Sequence, residues 1–193
     1  DSRALLVSAT GTGKTYLSAF DVKAAAPVRV LFLAHRKRIL TASMASYKKL
    51  LGDSYTYGLY RAGGDGTEFT CTFAMCSTIC GYLDKIDAEL FDYIVIDEAH
   101  RVGAKGYQRI LEHFKPKFCL GMTATPNRTD GYDVFALFNH VIAYQITLQD
   151  ALREDMLAPF HYFGIADLAI DEEEQSDFTL FSKLTSEARV DHI

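Results

Sequence analysis

The most constraining feature of the sequence is a glycine-containing segment between an apolar run and a helix-like stretch. Residues 8–15 read SATGTGKT and directly follow the apolar run at residues 4–7. Glycine lets the backbone turn tightly and approach a ligand without a Cβ in the way. When such a loop joins a strand to a helix, successive backbone N–H groups point into one concavity that suits phosphate. The segment therefore predicts a nucleotide phosphate site on a strand–loop–helix unit.

The residues of this loop have separate expected roles. The backbone contacts to phosphate are assigned to Thr10, Gly11, Thr12 and Gly13. Lys14 would reach the β- and γ-phosphates, the Thr15 hydroxyl would bind Mg²⁺, and the helix start would add a positive partial charge. Ser8 stands where the strict pattern has glycine, and it is small enough for the loop to form. The alternative is an ordinary glycine-rich turn before a helix.

Apolar runs alternate with helix-like segments along the chain. The apolar runs lie at residues 4–7, 28–34, 69–76, 93–96 and 118–122, with shorter candidates at 141–144 and 161–165. Helical spacing marks residues 14–25, 36–51 and 104–114. Several runs are continuously apolar, which is typical of parallel strands covered on both faces. The pattern predicts an α/β fold with a mostly parallel sheet and helices on both faces.

Two carboxylates follow the apolar run in residues 93–100, which read YIVIDEAH. Ligands of a parallel sheet lie outside the carboxyl ends of its strands, so Asp97 would meet the phosphate loop at one edge. We expect Asp97 to hold Mg²⁺ through its water shell and Glu98 to activate the attacking water. A strand end that simply turns polar at the surface explains either carboxylate alone, but it accounts poorly for the pair behind a phosphate loop.

With these motifs the chain resembles the DEAD/DEAH-box helicases of superfamily two, in the DEAH variant at residues 97–100. Residues 121–126 (GMTATP) resemble the family's Thr-Ala-Thr motif, and residues 30–36 (VLFLAHR) resemble its motif Ia. The extension at residues 127–131 is similar to the helicase subunits of type III restriction enzymes. The resemblance implies a RecA-like P-loop NTPase domain, ATP and Mg²⁺ as ligands, and nucleic-acid-dependent ATPase activity.

The resemblance also assigns residues to coupling and to nucleic-acid contact. The residues expected to relay the nucleotide state are His100, Thr123 and Thr125. The residues expected to contact nucleic acid are His35, Arg36, Arg38, Ser77 and Thr78. Arg38 also fits a solvated helix face. Contacts of this kind reach phosphate, so they would make binding sensitive to salt and indifferent to base sequence.

The expected domain organisation has two parts. Residues 1–150 are interpreted as the first RecA-like, ATP-binding helicase domain, and residues 151–193 as an extension and linker. A second RecA-like domain with arginine fingers is absent from this sequence and is the expected partner. The sequence looks like a fragment of a longer protein, and we expect the isolated fragment to bind nucleotide weakly and hydrolyse it slowly. Residues 134–167 are similar to large bacterial helicases, some of which carry a linked nuclease domain.

Composition limits the class of protein. The net charge is −5, so a nucleic-acid surface must be local. No run approaches the roughly 18 apolar residues of a membrane span, and the sequence starts without signal-peptide features. Cysteines occur at Cys71, Cys76, Cys80 and Cys119 without a CxxC pair, which predicts buried free thiols and no zinc site. We expect a cytoplasmic protein with no membrane partner.

Two hypotheses for the function remain open on sequence grounds. The first is an ATP-driven helicase or translocase whose partner is nucleic acid, with DNA favoured over RNA. The second is a nucleotide-sensing scaffold, or a motor that positions a linked nuclease domain without unwinding. The residues that argue against an inactive scaffold are Lys14, Thr15, Asp97 and Glu98. A second RecA-like domain with arginines further along the full-length chain would favour the motor.

Overall fold

The computed structural model describes residues 2–63, 65–101, 103, 105–125 and 133–158, within a compact unit that ends at Ala158. Its strands are β1 (Arg3–Ser8), β2 (Val30–Ala34), β3 (Tyr57–Leu59), β4 (Cys71–Met75), β5 (Tyr93–Asp97), β6 (Phe118–Thr123) and β7 (Ile142–Ile146). Its α-helices are α1 (Lys14–Ala25), α2 (Lys37–Leu51), α3 (Cys76–Cys80), α4 (Lys105–His113), α5 (Val134–Leu137) and α6 (Leu148–Arg153).

The seven strands form one sheet in the order β3-β4-β2-β5-β6-β1-β7. Every adjacent pair is parallel, as the continuously apolar runs predict. The carboxyl ends of all strands therefore lie at one edge of the sheet. This edge carries the phosphate loop after β1, the acidic pair at the end of β5 and the threonine that ends β6. The predicted convergence of these motifs follows from the topology.

Helices cover both faces of the sheet, and β2 shows how the sequence encodes this. All five residues of β2 are buried. Val30 and Phe32 pack on the face that holds α1 and α2, whereas Leu31 and Leu33 pack on the face that holds α3, α4 and α5. Neither face of the sheet is in contact with water at β2. Polar and apolar residues therefore do not need to alternate, and the strand is apolar throughout.

The structure refines several predicted elements. The run predicted at residues 28–34 begins as a strand only at Val30, because Val28 is 73% exposed. Helices α3, α5 and α6 were not predicted. The candidate strand at residues 161–165, the extension at 127–131 and most of the expected linker lie outside the described residues. Within the described residues, no helix is long and apolar enough to cross a membrane.

The four cysteines are free thiols, as predicted. Cys71, Cys76 and Cys119 are buried, whereas Cys80 is only half-buried, which corrects the expectation for that residue. Burial raises the pKa of the Cys71 and Cys119 thiols to about 12. These two side chains therefore stay protonated at neutral pH and act as small apolar groups in the core.

Gly121 in β6 has no room for a side chain. A Cβ at this position would lie 2.3 Å from Cζ of Phe138, a ring that is almost fully buried. We expect Gly121→Ala to lower the free energy of unfolding by about 1–3 kcal/mol, because the ring would have to move within a packed core. Urea unfolding measures this loss.

The matched control for this substitution is Gly81→Ala. Gly81 is exposed with φ −76°, and the nearest atom to an added Cβ is 3.5 Å away. We expect a change within about 0.5 kcal/mol there. Equal unfolding midpoints for the two variants would contradict the packing described for Phe138.

Candidate nucleotide site

The phosphate loop adopts a conformation that requires its glycines. Gly11 and Gly13 have φ values of 89° and 83°, in the region that glycine populates without steric cost. Gly13 caps α1, so the first turn of the helix starts directly behind the loop. Lys14 Nζ donates hydrogen bonds to the carbonyl oxygens of Ser8, at 3.0 Å, and Ala9, at 3.1 Å. The lysine side chain thus lies across the loop.

Ser8 fits the position where the strict pattern has glycine because its hydroxyl is used inside the loop. The residue is fully buried, and its hydroxyl forms a hydrogen bond with the hydroxyl of Thr12. Thr12 Oγ1 donates to the Ala9 carbonyl oxygen at 2.7 Å. Because Thr12 has a single hydroxyl hydrogen, Ser8 is the donor in the Ser8–Thr12 pair. The Ser8 side chain therefore stabilises the loop through a hydrogen bond within it.

The acidic pair lies at the end of β5. Asp97 is buried, and Glu98 is half-buried with φ 54°, a left-handed conformation that is uncommon outside glycine. The Glu98 backbone N–H donates to Asp97 Oδ1 at 3.0 Å. The Asp97 carboxylate is thereby fixed against the backbone of the next residue.

The charges of the loop lysine and the acidic pair influence one another. Burial lowers the pKa of Lys14, while the negative charges of Glu98 and Asp97 raise it. Burial raises the pKa of Asp97, and the charge of Glu98 raises it further. The backbone hydrogen bond from Glu98 and the charge of Lys14 act in the opposite direction. The structure therefore brings together the three residues to which the sequence assigns catalytic roles.

A chain of contacts joins Glu98 to the Thr-Ala-Thr segment. His100 Nδ1 lies 3.2 Å from Glu98 Oε2 and 3.0 Å from Thr123 Oγ1. The Thr125 backbone N–H donates to the same Thr123 oxygen at 3.2 Å. The proposed coupling residues are thus in contact, and their role in coupling stays a prediction.

The residues predicted to contact nucleic acid lie at the same edge of the sheet. His35 and Arg36 follow β2, and the pairing of Leu33 with Ile96 brings the end of β2 beside the end of β5. Arg36 and Arg38 are exposed at the start of α2. The remaining two, Ser77 and Thr78, lie in α3 directly after β4, where Ser77 is exposed and Thr78 is half-buried. Contact with nucleic acid remains a prediction for all five.

Two residues at this edge were missed by the sequence analysis. Arg101 follows the acidic block in a one-turn 3-10 helix, and its charge acts on His35. The sequence did contain a clue to this residue, because Arg101 directly follows the acidic block at residues 97–100. Leu157 lies against the phosphate loop, since its Cδ2 is 3.0 Å from where a Cβ of Gly11 would be. Nothing in the local sequence indicated that contact.

Known proteins with similar sequences include restriction-enzyme subunits and a DNA translocase. The family described as type III restriction enzyme, res subunit, matches residues 1–128. A type I restriction enzyme EcoAI endonuclease subunit from Escherichia coli is 30% identical over 88% of this chain and 22% of its own length. The DNA 3'-5' translocase XPB2 from Sulfurisphaera tokodaii is 24% identical over 78% of this chain and 33% of its own length. The chain thus spans about a fifth to a third of these relatives.

Similarity to solved structures supports the fold. The helicase domain of Hef from Pyrococcus furiosus superposes with a TM-score of 0.61 at 24% identity. The match covers 75% of this chain and 35% of that one. Together with the parallel sheet, this confirms the predicted RecA-like P-loop architecture.

Proposed function

The chain belongs to the family of type III restriction enzyme res subunits, and we propose that it is the ATP-hydrolysing half of a helicase or translocase that acts on nucleic acid. The observation that carries the proposal is the convergence of Lys14, Asp97 and Glu98 at one sheet edge, close enough for the carboxylate charges to raise the pKa of Lys14 and for the Lys14 charge to lower that of Asp97. A cation from the phosphate loop facing two carboxylates is the arrangement that phosphoryl transfer from a nucleotide requires.

The residues at this edge fit a nucleotide with Mg²⁺. The loop backbone and the start of α1 would hold the β- and γ-phosphates, and Lys14 would exchange its two carbonyl partners for phosphate oxygens. Thr15 and Asp97 offer a hydroxyl and a carboxylate, which are the oxygen donors that Mg²⁺ prefers. When bound, Mg²⁺ would neutralise charge on the phosphates during transfer.

Glu98 is the proposed base for hydrolysis. Its carboxylate would take a proton from water as the water oxygen bonds to the γ-phosphorus, and the bond to the β-phosphate oxygen would break to leave ADP. The contact with His100 Nδ1 holds the Glu98 carboxylate in one place. The Asp97 carboxylate is held differently, since its Oδ1 accepts a hydrogen bond from the Glu98 backbone N–H. In this proposal Glu98 acts on water and Asp97 serves the metal.

The proposed track is a nucleic-acid strand across the edge formed by the ends of β2, β4 and β5. The predicted contacts from His35, Arg36 and the start of α3 all lie there. DNA is favoured because one relative is named a DNA translocase and another is a restriction endonuclease subunit. The proposed partner that completes the nucleotide site is a second RecA-like domain of the full-length chain, which would supply arginine fingers.

A motor that serves a linked nuclease is the second candidate, because the Escherichia coli relative is an endonuclease subunit. In that case the ATP chemistry is unchanged, but the motor moves along intact duplex and separates no strands. The two candidates differ in the polymer that stimulates turnover.

The test is the rate of ATP hydrolysis by the full-length protein without polymer and then with single-stranded DNA, duplex DNA or RNA. Strong stimulation by one polymer would support the motor and identify its track. Stimulation by duplex without strand separation would favour the nuclease-linked translocase. Bound ATP with no stimulation by any polymer would contradict the motor and favour a nucleotide-sensing scaffold.

A further inference from the structure

Arg101 presents an exposed positive charge at the catalytic edge. It ends the 3-10 turn Ala99–Arg101, and its backbone N–H donates to the carbonyl oxygen of Glu98 at 2.9 Å. The side chain is exposed, and within the part of the chain that the structure describes it forms no ion pair. The backbone of Arg101 is thus fixed to the proposed base while its guanidinium group faces solvent.

The end of β2 brings a second arginine to the same place. Because Leu33 pairs with Ile96 in parallel strands, His35 and Glu98 each lie two residues beyond that pair. Burial is the largest cause that lowers the pKa of His35, and the charges of Arg101 and Arg36 are the next two. Two arginines from different strand ends therefore lie close enough for their charges to help burial lower the pKa of one imidazole.

Among the described residues, neither Arg36 nor Arg101 forms an ion pair with a carboxylate. The carboxylate of Glu98, whose backbone carbonyl accepts from Arg101, has its Oε2 3.2 Å from His100 Nδ1. His35 Nδ1 is buried and lacks a hydrogen-bond partner among the described residues. Like charges held together in this way repel, and an anion between them would offset that cost through charge-assisted hydrogen bonds.

We propose that Arg101 is a further nucleic-acid-binding residue, which holds one phosphate of the bound strand together with Arg36 over His35. This inference rests on the proposed function, since it identifies a contact for the same track. Guanidinium groups suit the task because their forked donors match phosphate oxygens. Arg101 would also connect binding of the nucleic-acid strand to ATP hydrolysis, because its backbone N–H is hydrogen-bonded to the backbone carbonyl of Glu98.

The experiment compares Arg101→Ala, Arg101→Lys and Arg109→Ala in the full-length protein. Arg109 is the matched control, an exposed arginine in α4 that does not act on His35. The affinity for a single-stranded DNA oligonucleotide is measured by fluorescence anisotropy between about 50 and 200 mM salt. Loss of one phosphate contact should reduce the slope of log affinity against log salt by about 0.7 in Arg101→Ala. Arg101→Lys should keep most of the slope, and Arg109→Ala all of it.

The outcomes separate this inference from the proposed function. The unaltered protein is also titrated with an RNA oligonucleotide of the same length, and if it binds neither polymer the proposed function itself fails. If it binds DNA and Arg101→Ala binds with the same slope, the Arg101 contact alone is overturned. Affinity for a fluorescent ATP analogue is measured in parallel. A loss confined to the nucleotide, with the DNA slope intact, would place Arg101 on the nucleotide phosphates and also overturn the inference.

Discussion

Replacing Lys14 with alanine is expected to abolish detectable nucleotide binding, a loss of about 100-fold or more in affinity. Lys14 Nζ lies across the phosphate loop within hydrogen-bonding distance of two of its carbonyl oxygens, so it can reach phosphates held in the same concavity. Its charge also lowers the pKa of Asp97. Without Lys14, that buried carboxyl group would take up a proton more readily and bind metal less well.

The measurement is titration of a fluorescent ATP analogue in the presence of Mg²⁺. Lys23→Ala is the matched control, because Lys23 lies in the last turn of the same helix, away from the loop. Its affinity should equal that of the unaltered protein. Thermal unfolding of each variant shows whether the fold is kept. Unchanged affinity in Lys14→Ala would contradict the assignment of residues 8–15 as a phosphate loop.

Replacing Glu98 with glutamine is expected to leave nucleotide binding in place and to reduce turnover by about 10²- to 10⁴-fold. Glutamine keeps the size of the side chain and an oxygen that can meet His100 Nδ1, so the contact with the coupling residues can persist. It cannot accept a proton from water at neutral pH. The substitution therefore separates binding from hydrolysis.

Phosphate release by the full-length protein, with the polymer that stimulates it, measures this effect. Glu112→Gln is the matched control, since Glu112 is an exposed residue of α4. Normal turnover in Glu98→Gln would remove Glu98 from the role of base. Loss of nucleotide affinity in the same variant would instead show that the Glu98 charge supports binding.

Sequence reasoning reached the nucleotide site because each of its parts is encoded locally. The phosphate loop follows its strand directly, and Asp97 and Glu98 follow theirs, so a parallel sheet was enough to bring them together. Short helices such as α5, with four residues, could not be predicted because one turn has no repeating pattern and depends on packing.

The contacts of Arg101 and Leu157 could not be predicted because they depend on which elements are neighbours in space. The charge of Arg101 reaches His35 only because β2 lies beside β5, and the sequence does not specify the order of strands in a parallel sheet. Leu157 meets Gly11 because the chain returns to the phosphate loop after β7 and α6. Residues 151–193 were interpreted only as an extension and linker, which did not predict that Leu157 would contact the phosphate loop.

The position of β1 between β6 and β7 has a consequence for synthesis on the ribosome. Roughly 110 residues separate Ser8 from the start of β6, which takes on the order of 10 s at usual rates of translation. Until then β1, in which five of six residues are buried, has no neighbour to pair with, and pairing across so long a separation is slow. The phosphate loop is thus synthesised well before the two strands that flank β1, and it acquires its shape only after them. A nascent chain would gain the ability to bind nucleotide only once the sheet around β1 had closed.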